Sequence, residues 1–171
     1  MSRALLLHGA SLLLASAAEA QTPIPPAPKD FATMAVQSDT YEVTAAQDAL
    51  TQATDPRVRS FAQRMIADHS RDRAAVKQAA AASGLKPPPD AMDTDQARLL
   101  SAIQSLRGPD FDRVYVKQQV LAHVEAATVA GSFAGSGADP SLRRSAQTSL
   151  PMIQGHLQMA QQLLAALGGD Q

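Results

Sequence analysis

The chain has no cysteine and no tryptophan, and its 171 residues include only four phenylalanines and two tyrosines. Without cysteine there can be no disulfide and no lipid anchor on a thiol, so the fold must rest on its packed core. The few aromatics fall at helical core spacing and do not form base-stacking platforms. With a net charge of −1 and no basic stripe, a nucleic-acid partner is excluded from the expectation. Long apolar runs are missing too. The leucine-rich stretch from Leu5 to Leu14 is too short to cross a bilayer, and nothing later approaches the length needed, so no transmembrane segment is expected.

What the N-terminal stretch does carry is the pattern of an export signal. Arg3 supplies a basic start, the leucines an apolar core, and Ala18-Glu19-Ala20 a small-residue cleavage site. Residues 1–20 are therefore expected to be removed after Ala20, leaving Gln21 as the mature start and the bacterial periplasm or the medium as the address. Residues 21–29 are proline-rich and read as an extended tether. About 150 residues remain, enough for one domain with a sizeable core.

From Asp30 onward the chain is rich in Ala, Gln and Leu with few β-branched runs, which favours helix throughout. Asp55-Pro56 and Asp139-Pro140 each read as an N-cap followed by proline at the first helical position. Gly84 to Pro89, Gly108-Pro109 and Gly135-Ser136-Gly137 mark breaks. The pattern predicts long helices over 30–53, 56–83, 110–134 and 140–167, a short one near 94–106, and a tail at 168–171. Two tight hairpins joined by one long crossover give an all-α fold, a ferritin-like antiparallel four-helix bundle with a short helix in the crossover. Pro151 lies inside the last helix and is expected to bend it near Gln147.

The two hairpins look duplicated. Asp55-Pro56, Ala62-Gln63 and Met65-Ile66-Ala67-Asp68-His69 recur in order as Asp139-Pro140, Ala146-Gln147 and Met152-Ile153-Gln154-Gly155-His156. The second copy carries extra residues around Pro151. On a helical wheel each long helix points one polar residue into its apolar face: Glu42, His69, Glu125 and His156, with Asp72 one turn beyond His69. A carboxylate buried alone is costly. Two readings stay open: buried Glu–His pairs that fix register, or a metal site of two carboxylates and two imidazoles suited to zinc, iron or manganese. His123 lies about 160° round the wheel from Glu125. It is expected on a flank against the short helix, or as the inward ligand in place of Glu125 if that helix is rotated. Met65 and Met152 each precede a histidine by one turn; they could serve Cu(I), though methionine at core spacing is more often filler.

Four runs carry a family resemblance: Tyr41-Glu42-Val43, Phe61 to His69, Gln118 to Ala126, and Leu150-Pro151 to His156-Leu157. Together they resemble domain-of-unknown-function family 4142, exported bacterial proteins with a ferritin-like bundle. The resemblance spans the mature chain, with Met-Ile-Ala-Asp-His its most specific element. It implies fold and compartment but no activity, and it marks Glu42, Asp68, His69, His123, Glu125 and His156. Di-iron ferritin-like proteins carry Glu-x-x-His on the second helix of each pair. Here Ile66 and Ile153 stand at the two Glu positions, so any site is expected to be mononuclear. Three functions remain open: a non-enzymatic, stress-linked exported protein with a metal-binding core, a metal-dependent periplasmic redox enzyme, and a structural interaction module with Glu–His pairs and no metal. No protein partner is indicated.

Overall fold

A computed structural model describes residues 24–168. The expected export signal, the start of the tether and residues 169–171 lie outside the described residues. Five helices follow in order: α1 (Pro28–Gln52), α2 (Pro56–Ala82), α3 (Thr94–Gln104), α4 (Gly108–Ser136) and α5 (Pro140–Ala166). No described helix is long and apolar enough to cross a membrane.

Local chemistry sets the helix boundaries. Asp55 accepts a hydrogen bond from the Arg57 backbone N–H at 2.7 Å, and Asp139 accepts one from Leu142 at 2.9 Å. Each thereby satisfies a donor that the first turn leaves unpaired. Asp93 and Gln96 form a reciprocal capping box at the start of α3, with bonds of 2.8 and 3.1 Å. Helix α1 starts inside the expected tether, at Pro28, because proline's fixed φ suits a first turn and its missing N–H costs nothing there. Gly137 ends α4. Helix α5 continues on both sides of Pro151, which sits on an exposed face.

The short links after α1 and α4 make α1–α2 and α4–α5 antiparallel hairpins. The pairs between hairpins are antiparallel as well. Phe31 at the start of α1 stacks on Phe133 at the end of α4, with ring centroids 4.0 Å apart. At the other end of that pair, Asp112 in the first turns of α4 accepts from the Thr54 hydroxyl and the Asp55 N–H, both at 2.9 Å. Across α2 and α5, Ser83 donates to Asp139 at 2.7 Å. The crossover runs along the outside, where α3 packs on α1 and α4 and the Leu99 carbonyl accepts from Gln118 at 3.0 Å. The result is an all-α, ferritin-like antiparallel four-helix bundle with a short helix in its long crossover.

The core has two apolar ends. One gathers Tyr41, Ala45, Phe61, Met65, Phe111 and Tyr115; the other gathers Phe31, Val36, Val76, Phe133 and Leu142. Register places a polar layer between them. Asp39, Glu42, His69, Gln119, His123 and His156 are all buried there, at the level where the four long helices pass one another.

Candidate metal centre

His69 of α2, His123 of α4 and His156 of α5 meet in this layer. One ring nitrogen from each lies within 4.8 Å of the others. The ring centroids stand 5.2 to 5.4 Å apart, and all three residues are at most 2 % exposed. Helix α1 closes the fourth side with Glu42, whose Oε1 is 3.9 Å from His123 Nδ1. Three of the four long helices thus contribute a histidine, and the fourth brings a buried carboxylate beside them.

Each histidine is held by its outer nitrogen. His69 Nδ1 is 2.8 Å from Asp39 Oδ1, His123 Nδ1 is 2.8 Å from the Gln119 carbonyl, and His156 Nε2 is 3.0 Å from Asp68 Oδ2. Those partners are acceptors, so the outer nitrogen carries a proton, and in a neutral ring the inner one presents a lone pair. Metal-binding histidines are fixed in the same way. Two inner nitrogens meet, His69 Nε2 and His156 Nδ1 at 3.3 Å, and His123 Nε2 is buried without a hydrogen-bond partner. Neither oxygen of Glu42 has one either.

The electrostatics follow from burial. Burial pushes Glu42 up to about 7 and Asp39 up to about 6; the His69 hydrogen bond opposes the shift at Asp39. The Gln119 amide lies close enough to lower Glu42 somewhat, yet the two groups make no well-formed hydrogen bond. Burial would lower His69, but its bond to Asp39 and the charges of Glu42 and Asp72 outweigh that and hold it above the ordinary imidazole value. Burial and the nearby His69 depress His123 to about 3 and His156 to about 4, which keeps both neutral. Partial burial would raise Asp68, but its ties to His156 and Arg71 hold it below the usual carboxylate range.

The structure brings together Glu42, His69 and His156 from the wheel reading, with His123 beside them. His123 is not on a flank against the short helix. Glu125 is the correction: it is exposed, and it lines a cavity beside His69 instead of joining the three histidines. The cause is the make-up of α4. Leu121 and Val124 are 60 % and 48 % exposed, while Asp112, Gln119 and His123 are buried, so apolar periodicity points to the wrong face. Asp72 stays outside the histidine cluster, accepts from the Ser149 hydroxyl, and lines a cavity next to His69. Met65 is wholly buried in one apolar end. Ile66 and Ile153 place no carboxylate at the di-iron bridging positions.

Asp39 and Gln119 were not legible as site residues. Asp39 precedes Glu42 by three residues on the same helix, a spacing that puts two carboxylates on one face and could have signalled a shared role. Gln119 had no comparable signal.

Three solved structures share the fold. A DUF305 fragment from Deinococcus radiodurans superposes with a TM-score of 0.71 at 16 % identity. CopM matches in its Cu(II)-bound form at 0.71 and 18 %, and in its Cu(I)-bound form at 0.70 and 20 %. Each alignment covers 84 % of this chain and 99 % of the other. At such identities the likeness is one of fold. No curated protein matches the sequence significantly. The family model for DUF4142, described as a domain of unknown function, matches residues 13–163, and the chain belongs to that family.

Proposed function

We propose that this protein is an exported metal-binding protein that holds one divalent first-row ion between His69, His123 and His156, with Glu42 as the fourth donor. The observation that carries the proposal is the orientation of the three imidazoles. Each outer nitrogen is engaged by an acceptor, two inner nitrogens stand 3.3 Å apart, and one nitrogen of each ring lies within 4.8 Å of the others. When all three rings are neutral, lone pairs turned on one another repel, and a cation among them removes the conflict. It would also give a partner to His123 Nε2 and to the orphaned Glu42 carboxylate.

Three imidazoles and a carboxylate suit zinc or Cu(II). In a tetrahedral zinc site with bonds near 2.0 Å the donor atoms stand about 3.3 Å apart. The His69–His156 separation of 3.3 Å already meets that spacing. The copper-bound CopM structures make copper the second ion to test. The proposal is one of binding, not turnover. The leader pattern at Arg3 to Ala20 supports export, and with it an ion drawn from the periplasm.

A competing reading has its own observation. If His69 is protonated, Asp39, His69, His156 and Asp68 form an unbroken hydrogen-bonded chain without metal. That chain leaves His123 Nε2 and both Glu42 oxygens unsatisfied, which favours the metal.

Titrating the metal-free mature chain with zinc and, separately, with Cu(II) decides between them. Wild type should take up one ion with a rise in Tm. Ala at His69, His123 or His156 should abolish both effects, and Glu125→Gln should change neither. No rise in Tm with either ion, or uptake that survives His123→Ala, would overturn the proposal.

A further inference from the structure

Beside the histidine layer a separate cavity of about 160 Å³ opens between α1 and α4, with the start of α3 at its rim. Its walls are mainly apolar, and three of the molecule's exposed large hydrophobics, Met34, Leu99 and Leu121, lie around it. Apolar side chains left in solvent around one opening mark a place where something apolar is received.

The charged groups in the lining are mainly carboxylates. Asp39, Asp72, Asp93 and Glu125 all contribute, no lysine or arginine does, and the one basic group, His69, is already bonded to Asp39. Asp39 is 3 % exposed; its Oδ1 is taken by His69, but its Oδ2 is buried with no hydrogen-bond partner. Asp72 is met by a hydroxyl and by no cationic side chain in contact, and Glu125 makes no ion pair among the described residues. A carboxylate at the wall of an apolar cavity with one oxygen unpaired calls for a donor, and a cationic donor serves best.

We propose that this cavity binds a small organic ammonium ion: an aliphatic or single-ring body seated between α1 and α4, with its charged end toward the carboxylates. The size is right, since an apolar cavity of about 150 Å³ holds benzene. Apolar walls disfavour a bare hydrated metal ion, and the carboxylates disfavour an anion. The site goes beyond the metal centre and shares only the Asp39–His69 contact with it.

The test uses three matched probes on the mature chain: 2-phenylethylamine, 2-phenylethanol and phenylacetate, followed by amide NMR shifts and calorimetry. The amine should bind saturably, the alcohol about tenfold more weakly, and the carboxylate not at all. Glu125→Gln, a change on an exposed side chain, should weaken the amine several-fold and leave the alcohol unchanged. Ala126→Phe, which fills the cavity, should abolish amine binding while helix content and zinc uptake stay at wild-type levels. Equal binding of alcohol and amine, no binding of either, or amine binding that survives Ala126→Phe would overturn the proposal. Zinc titration of the same samples keeps the two readings apart: amine binding without zinc uptake would sink the metal centre alone.

Discussion

At the scale of single residues, Glu42 concentrates the cost of the polar layer. It is 1 % exposed, neither oxygen is hydrogen-bonded, and burial raises its pKa from 4.5 to about 7. A raised carboxyl pKa means the folded state disfavours the anion. In the metal-free protein the penalty is therefore absent below about pH 4.5, grows as pH rises, and is complete above about 7. Glu42→Gln removes the charge at nearly constant shape. The metal-free variant should be more stable than wild type above pH 7 and no more stable than wild type near pH 4.5, as read from urea unfolding at several pH values. With zinc present the order should reverse, because the wild-type carboxylate gains a cation as partner and the variant has no anionic donor to offer it. A Glu42→Gln protein that is less stable than wild type without metal at high pH would show that the carboxylate has a partner of its own. At this scale the sequence was informative where a polar residue interrupts an apolar face, as Glu42, His69 and His156 do. Asp39 escaped notice because its importance lies in orienting His69, a contact between helices 30 positions apart that no local pattern records.

The helices themselves were legible wherever backbone chemistry decides them. Asp-Pro starts, the glycines at 84 and 108, and the proline-rich crossover all depend on φ, on a missing donor or on a capping oxygen, and these are local properties. The face that a helix buries was legible only where polar and apolar residues segregate. Helix α4 breaks that condition: it buries Asp112 to tie down the α1–α2 link and buries Gln119 and His123 in the polar layer, while Leu121 borders the cavity. Its end makes a separate prediction. A Cβ added at Gly137 would stand 2.5 Å from Phe133 Cδ1 and 2.6 Å from the Phe133 carbonyl oxygen. The ring could turn only by giving up its stack on Phe31 at 4.0 Å, and the carbonyl is backbone that already accepts from the Gly137 N–H at 2.8 Å. Gly137→Ala should therefore cost about 1–3 kcal/mol in urea unfolding. It should leave metal uptake intact, since the histidines lie far along the bundle from that end.

Taken whole, the molecule is a bundle whose four long helices meet at one polar level. Its topology was readable because two short links and one long crossover permit few antiparallel arrangements. The layer was only half readable, because which rings converge depends on how each helix is rotated about its axis. That geometry also separates the crossover from the rest. Glu42, His69, His123 and His156 come one each from α1, α2, α4 and α5, whereas α3 packs outside on α1 and α4 and supplies no donor. An ion bound by all four would join both hairpins at their middle, so that neither could open without releasing it. At a free zinc concentration about one hundred times Kd, the folded state should gain about 2.7 kcal/mol. The gain should appear in native-state hydrogen exchange as slower opening in α1, α2, α4 and α5 together. Amides of α3 should show little change, because α3 can detach while the ion stays bound. In His123→Ala the slowing should vanish in all four helices at once. Protection confined to α2 and α5 would mean that His69 and His156 bind without α1 and α4, and the single four-helix centre would have to be given up.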